Sequence, residues 1–193
     1  WKKNIEIEIP DKNLAGVLES KAKEYKVDKC QKEIVEEALD NPIDSPKLEE
    51  LVKGKNNMVI ITSDHTRPVP SRITMPILLR RIRKVNPNID IKILIATGFH
   101  RPSTKEELID KFGKEIVENE NIVMHISLDK ESMVRVGTLP SGGELYLNKL
   151  AMETELLIAE GFIESHFFAG FSGGRKSILP GIAAAETIMA NHC

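Results

Sequence analysis

Three short segments of the sequence collect side chains that could bind an anion and move protons. They are residues 63–70 with Asp64, Thr66 and Arg67, residues 97–102 with His100, and residues 160–166 with His166. A guanidinium pairs with a carboxylate or phosphate through two parallel hydrogen bonds. An imidazole accepts or releases a proton near neutral pH. These residue types indicate proton transfer on a small anionic molecule.

The first two segments also have simpler interpretations. Asp64 and Thr66 could do no more than cap a turn before the next helix, leaving Arg67 as a solvated surface charge. His100 could be an ordinary loop histidine. Two further histidines are predicted to lie outside the site, because His65 can point away from it and His125 falls within a predicted strand.

Residues 166–181 form the most unusual segment, since its glycines allow the backbone to approach a ligand closely. Gly170 and Lys176-Ser177 have the spacing of a Walker A phosphate loop. That motif requires glycine where Arg175 stands and a helix directly after the lysine, whereas Pro180 and Gly181 interrupt the segment. A nucleotide triphosphatase is therefore disfavoured, and Lys176 is instead a candidate reactive amine beside an apolar pocket.

His192 and Cys193 are potential ligands for a soft metal. The histidines lack the spacing of a helical zinc site, and the sequence has no Cys-x-x-Cys pair. A metal bound here would therefore need donors from a cofactor. Cys193 itself is interpreted as a packed thiol rather than an additional ligand.

The elements that must position these residues follow from the apolar pattern. Continuous apolar runs predict buried strands, and period-two alternation predicts a half-buried one. The predicted strands are 4–9, 57–62, 89–96, 121–126, a short one at Leu145, and 156–159; the predicted helices are 28–39, 45–54, 71–84, 103–112 and 183–190. Residues 103–107 resemble a capping box. Alternating strands and helices predict an α/β fold with a mostly parallel sheet flanked by helices.

Ligands of open α/β sheets bind beyond the carboxyl ends of the strands. The three reactive segments follow the strands 57–62, 89–96 and 156–159. We therefore expect Asp64, Arg67, His100 and His166 to meet at one edge of the sheet.

Composition excludes several classes of protein. The 193 residues contain 27 Lys and Arg against 29 Asp and Glu, so an electrostatic nucleic-acid binder is disfavoured. No apolar run is long enough to span a bilayer, and the start lacks the apolar run of a secretory signal. Cys30 and Cys193 are interpreted as reduced thiols, which favours a cytoplasmic location. The end at residues 191–193 suggests the front part of a longer protein.

Together, residues 63–68, 97–101, 166–181 and 191–192 resemble the nickel-pincer lactate racemase family of 2-hydroxy acid racemases and epimerases. The resemblance implies a Rossmann-like N-terminal domain, here residues 1–193, of a two-domain enzyme. It also implies a nickel complex of pyridinium-3,5-bisthiocarboxylic acid mononucleotide, and cofactor-biosynthesis and nickel-insertion proteins as partners.

The resemblance also assigns roles to individual residues. His192 corresponds to the nickel ligand, Lys176 to the covalent attachment point, and His100 and His166 to the two proton-transferring bases. The remaining cofactor-binding and substrate-binding positions are Asp64, Thr66, Arg67, Gly173 and Gly174. In that family the reaction is a reversible hydride transfer through a planar 2-keto acid, and each histidine serves one orientation of the substrate.

Two alternatives remain open on the sequence. One is an epimerase of a larger 2-hydroxy acid, such as malate or gluconate, with the same cofactor. The other is a metal-free domain that binds a phosphorylated metabolite, for which Arg67 and the glycine loop at 170–176 are sufficient.

Overall fold

The computed structural model describes residues 5–166 and 170–192. The chain divides into two units, Trp1–Cys30 and Gln31–Cys193. The described part of the first contains two 3₁₀ helices, Asp11–Asn13 and Lys21–Glu24, and no strand. The strand predicted at 4–9 is therefore wrong for its described residues, with Ile5 and Ile7 86% and 77% exposed. Alternation marks an apolar face, but a strand also needs a partner for its backbone groups.

The second unit contains all the α-helices and β-strands of the described chain. Its helices are α1 (Gln31–Asp40), α2 (Leu48–Val52), α3 (Ser71–Val85), α4 (Lys105–Phe112), α5 (Lys114–Asn119), α6 (Lys149–Glu153) and α7 (Ala185–Asn191). Its strands are β1 (Asn57–Ser63), β2 (Asp90–Ala96), β3 (Asn121–Met124), β4 (Met133–Thr138), β5 (Glu144–Asn148), β6 (Leu157–Ala159), β7 (Glu164–His166) and β8 (Gly170–Ser172).

Four strands form a parallel sheet in the order β3-β2-β1-β6, which confirms the predicted α/β class. In the register, Ile60 of β1 lies between Ile93 of β2 and Ile158 of β6. Residues 58–62 are all buried. The strand therefore carries apolar side chains on both faces, as is usual when helices cover both sides of a parallel sheet.

Each face of the sheet has its own apolar core. On one face, Ile60 and Ile93 pack with Met75 and Leu78 of α3 and with Phe112 of α4. On the other face, Val59, Ile61 and Leu94 pack with Ala151 of α6 and with Ile182. This alternation fixes which side chains at the end of β1 point to which face.

The main sheet and the helices that cover it agree with the sequence to within a few residues. The helix predicted at 103–112 begins at Lys105, and its capping box is present: Thr104 accepts from the backbone of Glu107, whose side chain accepts from the backbone of Thr104. The helices predicted at 28–39 and 45–54 are shorter, as α1 and α2.

Smaller elements were predicted less well. The strand predicted at 121–126 ends at Met124, so His125 lies just beyond it. Leu145 belongs to β5, whose antiparallel partner β4 has no sequence prediction, and the β7–β8 hairpin was also missed. The described chain has no helix long and apolar enough to cross a membrane.

Candidate active site

The candidate site lies at the point where the strand order reverses. The chain passes outward from β1 to β2 and β3, and later returns to place β6 on the opposite side of β1. The loops after β1 and β6 therefore diverge and leave a crevice beyond the carboxyl ends of the strands.

A cavity of about 630 Å³ occupies this crevice. Nearly all the predicted site residues line it: Asp64, Thr66, Arg67, His100, His166, Gly173, Lys176 and His192. Gly174 follows Gly173 in the chain, is exposed, and is not among the residues that line the cavity. Residues more than 120 positions apart in the sequence thus meet in one space, as their places after parallel strands predict.

Asp64 links the first loop to the second. Its Oδ1 accepts hydrogen bonds from the backbone N and the Oγ1 of Thr66, at 3.0 and 2.6 Å. Its Oδ2 lies 2.7 Å from Nδ1 of His100, which comes from the loop after β2. The turn-capping interpretation of Asp64 and Thr66 is therefore correct, but it is incomplete, since the same carboxylate also holds a histidine.

The environment of Asp64 favours its ionised form. The residue is only 2% exposed, and burial alone would raise its pKa. The hydrogen bonds from Thr66 and His100 outweigh burial and hold the pKa of this carboxyl below its usual value. An ionised carboxylate only accepts hydrogen bonds, so Nδ1 of His100 is the donor, and in the neutral imidazole Nε2 carries the lone pair.

Arg67 lies at the rim of the cavity. Its side chain is 45% exposed, and its guanidinium lies 3.9 Å from the carboxylate of Glu164, in β7. A half-exposed ion pair of this length contributes little to stability. The guanidinium therefore gives up little by turning to a carboxylate or phosphate inside the cavity.

The third segment enters the cavity on the β7–β8 hairpin. His166 ends β7, is half-buried, and pairs across the hairpin with Gly170. Both His100 and His166 face the same cavity. Residues 167–169, which join the two strands, lie outside the described residues, as does Cys193.

The glycine loop brings Lys176 to the cavity. Gly173 has φ +82°, and a Cβ there would lie 2.2 Å from the carbonyl oxygen of Phe162. Only glycine allows this close approach, which seats the loop against the chain after β6. Lys176 follows in a 3₁₀ helix, Gly174–Ser177, and is half-buried. No α-helix begins directly after this lysine, since α7 starts only at Ala185, and a Walker A loop requires one there.

His192 directly follows α7 and also lines the cavity. Its Nδ1 is 2.7 Å from the carbonyl oxygen of Ile188 and must donate to it. The lone pair therefore resides on Nε2, the arrangement usual for a metal-binding imidazole. No group of three or more histidine, cysteine, aspartate or glutamate side chains in the described chain is placed to hold a metal ion.

Two histidines that the sequence places outside the site have structural partners. His65 lies 2.9 Å from Oγ of Ser103 and so connects the loops after β1 and β2. His125 is fully buried; its Nε2 donates to the carbonyl of Ala183 and its Nδ1 accepts from the amide of Asn148. Burial lowers the pKa of His125, so this side chain is neutral in the fold.

One residue of the cavity has no counterpart in the sequence prediction. Glu160 directly follows β6, is 7% exposed, and accepts hydrogen bonds from hydroxyls on β1 and α3. The sequence indicates this residue only by its position, as a single acid between the apolar run 156–159 and Gly161. Charged residues are rarely this buried without a partner.

Comparisons with known proteins identify the family. A model of the lactate racemase N-terminal domain matches residues 2–193. A lactate racemase of Lactiplantibacillus plantarum is 64% identical over 191 residues, covering 99% of this chain and 45% of that protein. A lactate racemase of Thermoanaerobacterium thermosaccharolyticum is 59% identical over 192 residues, covering 100% of this chain and 45% of that protein.

Solved structures agree with the sequence matches. The lactate racemase apoprotein of Thermoanaerobacterium thermosaccharolyticum superposes with a TM-score of 0.89 at 57% identity, covering all of this chain and 44% of that one. A protein of Thermotoga maritima with a TM-score of 0.70 at 24% identity, covering 87% of this chain and 42% of that one, shares the fold. The chain thus spans less than half the length of these curated relatives, and it belongs to the lactate racemase N-terminal domain family.

Proposed function

We propose that this chain is the N-terminal, cofactor-binding and base-carrying domain of a two-domain enzyme that interconverts the enantiomers of a 2-hydroxy acid, with lactate as the substrate. The observation that carries the proposal is the shared cavity, in which His100 and His166 meet Arg67 beyond the ends of the parallel strands. The names of the relatives support lactate as the acid.

The substrate chemistry explains why two bases are needed. The hydrogen on C2 of lactate is barely acidic, so removing it as a proton is difficult. Removing it as hydride, while a base takes the hydroxyl proton, gives a planar 2-keto acid. Return of hydride to the other face then gives the other enantiomer. A base is needed beside the hydroxyl for each orientation of the acid.

The residues of this chain supply the proton-transfer part of the reaction. Arg67 would bind the substrate carboxylate through paired hydrogen bonds and hold C2 at a fixed place. Nε2 of His100 would accept the hydroxyl proton of one enantiomer, because Asp64 holds the other ring nitrogen protonated. His166 would perform the same step for the opposite enantiomer.

The chain's residues also suit the nickel-pincer nucleotide that the family resemblance implies. No protein side chain accepts hydride, and reversible hydride acceptance is the chemistry that this group supplies when bound. A lone imidazole such as that of His192 cannot hold nickel alone and suits a metal whose other donors come from a cofactor. Lys176 would bind the cofactor covalently, with Thr66, Gly173 and Gly174 beside it. The cavity of about 630 Å³ has the size of a small-molecule site.

The enzyme would also require a particular cellular setting. The enzyme would act in the cytoplasm, where Cys30 stays reduced, and would depend on proteins that make the cofactor and insert nickel. The test uses the complete enzyme that carries this sequence, produced together with those proteins. We expect nickel in the purified protein and formation of D-lactate from pure L-lactate, followed by chiral chromatography.

Other results of this experiment would favour one of the two alternative functions. Nickel with turnover of malate or gluconate but not lactate would indicate an epimerase of a larger acid. Absence of nickel and of racemisation, with binding of a phosphorylated metabolite that the Arg67→Ala variant loses, would overturn the enzyme and favour a binding domain.

A further inference from the structure

A buried carboxylate joins the elements that carry the first site loop. Oε2 of Glu160 accepts hydrogen bonds from Oγ1 of Thr62 at 2.6 Å and Oγ of Ser71 at 2.7 Å, and its Oε1 accepts from Oγ1 of Thr74. Its backbone N donates to the carbonyl of Ile61 at 2.8 Å. Thr62 is in β1, and Ser71 and Thr74 are in the first turn of α3. One side chain after β6 thus binds two other elements.

Two of these hydroxyls lie at the two ends of the loop that carries Asp64 and Arg67. Thr62 lies two residues before Asp64, and Ser71 follows the last residue of the segment 63–70. Both ends of the segment are therefore fixed to the same carboxylate oxygen. Because Asp64 itself is buried and holds His100 at 2.7 Å, a displacement of either end would move that contact.

A buried lysine lies on α4, the helix that packs beside α3. Nζ of Lys111, in α4, is buried, forms no hydrogen bond to any described residue, and lies 5.8 Å from the centre of the Phe112 ring. Burial lowers the pKa of this lysine, while the charges of Glu160 and Asp64 favour its protonated form. Isolated buried charges are unfavourable, so these two carboxylates help to stabilise the buried cation.

We propose that Glu160 is a positioning residue for the Asp64–His100 pair: its carboxylate fixes both ends of the segment 63–70 across the crevice. The role in catalysis depends on the proposed racemase function, whereas the role in holding the pair does not. Glu160 is assigned no contact with substrate or cofactor.

The experiment compares two glutamates that tie β6 to β1 at opposite ends. Glu155 accepts hydrogen bonds from the backbone N and Nδ2 of Asn56, at the amino end, far from the cavity. In the complete enzyme we expect Glu160→Gln to lower kcat about tenfold or more, with KM for lactate nearly unchanged, because misplaced reacting groups reduce turnover. Glu155→Gln should leave both parameters at the wild-type values.

A second readout does not require activity. The N–H of His100 that donates to buried Asp64 gives a proton resonance shifted downfield, which His100→Gln assigns. We expect Glu160→Gln to weaken or abolish this resonance and Glu155→Gln to preserve it. An unchanged resonance in a folded Glu160→Gln protein would overturn the proposal, whatever the enzyme's activity. Lack of racemisation by the wild type, with the expected spectral change, would overturn only the proposed function.

A double-variant cycle separates positioning from general stability. If Glu160 acts through Asp64, Glu160→Gln should lower kcat much less in an Asp64→Asn background than in the wild type. Equal effects in both backgrounds would contradict the proposal. Should Glu160→Gln fail to fold, Thr62→Val removes one of the donors and keeps the side-chain shape; it should reduce the His100 resonance in the same direction, and an unchanged resonance there would also contradict it.

Discussion

Oδ2 of Asp64 and Nδ1 of His100 lie 2.7 Å apart, across the loops that follow two neighbouring strands. Their strands pair in parallel register, with Ser63 beside Ala96 at the carboxyl end. Asp64 directly follows Ser63, and only three residues separate Ala96 from His100, so the sheet itself brings the two side chains together. It orients an imidazole whose other nitrogen can act as a base.

The two histidines of the cavity should both be required for turnover. We expect His100→Ala and His166→Ala each to lower racemisation about 100-fold or more, since each removes a proton-transferring group. Cofactor and nickel should stay bound, because neither variant removes Lys176 or His192. Rates of both directions from enantiopure lactate, with nickel analysis, provide the measurement.

His65→Ala is the matched histidine control, since His65 is absent from the cavity lining and contacts Ser103. Its loss should cost far less activity than loss of either cavity histidine. Near wild-type rates in either cavity variant would contradict the assignment of two bases.

Replacing Asp64 with asparagine should impair turnover, because it removes the carboxylate that orients the ring of His100. The amide has the same shape but no charge, and it can present an N–H to the ring, which favours the wrong tautomer of His100. We expect kcat to fall by about 100-fold while the fold is kept. Circular dichroism should be unchanged, and full activity would show that the Asp64–His100 contact is not needed.

The same substitution should change acid stability. The folded pKa of Asp64 lies below the ordinary value of 3.8, so its ionised form stabilises the fold above that pH. As pH falls below 3.8, the unfolded chain takes up a proton before the folded one does, and this stabilisation is lost. The Asp64→Asn protein should lack this component of acid unfolding, as measured by denaturant midpoints between about pH 5 and pH 2.

Much of the site could be predicted because it depends on the sheet. Buried apolar runs identify β1, β2 and β6, and the residues after them must meet at one edge. Glu160 could not be placed in the same way: its hydroxyl partners Thr62 and Ser71 are 98 and 89 positions away. Such contacts depend on the crossover of β6 and not on any local pattern.

The error at residues 4–9 has a different origin. Alternation at Ile5 and Ile7 indicates an apolar face, but no described strand pairs with it. The β4–β5 hairpin was missed for the converse reason. Its first strand has mostly exposed side chains, so apolar patterning gives a weak signal there.

Lys176 should be the point of covalent attachment. In the complete enzyme produced with the cofactor-making proteins, intact-mass spectrometry should show an adduct on the wild type and none on Lys176→Ala. The adjacent Arg175→Ala is the control, since Arg175 is an exposed cation outside the cavity lining. An adduct that persists in Lys176→Ala would exclude this lysine.

Gly173 should be much less tolerant of substitution than its neighbour. Both Gly173 and Gly174 have positive φ, so alanine costs about 1 kcal/mol or more at either position. At Gly173 the new Cβ would also lie 2.2 Å from the carbonyl oxygen of Phe162, whereas no described atom lies within 4 Å of a Cβ at Gly174. We therefore expect Gly173→Ala to lower the thermal midpoint clearly more than Gly174→Ala, and equal losses would contradict the close approach.

His125 should make the fold sensitive to mild acid. It is fully buried and burial lowers its pKa, so the neutral ring is the form that fits between Ala183 and Asn148. Below its ordinary value of 6.5, the unfolded chain binds a proton that the fold does not, and stability falls as pH decreases towards the folded pKa. Denaturant midpoints between about pH 7.5 and pH 5 should therefore decrease in the wild type. The His125→Asn protein should begin less stable, because its shorter side chain leaves a buried partner unsatisfied, and should lose less over this range. His65→Gln should retain the wild-type slope, and a wild-type slope in His125→Asn would show that another group is responsible.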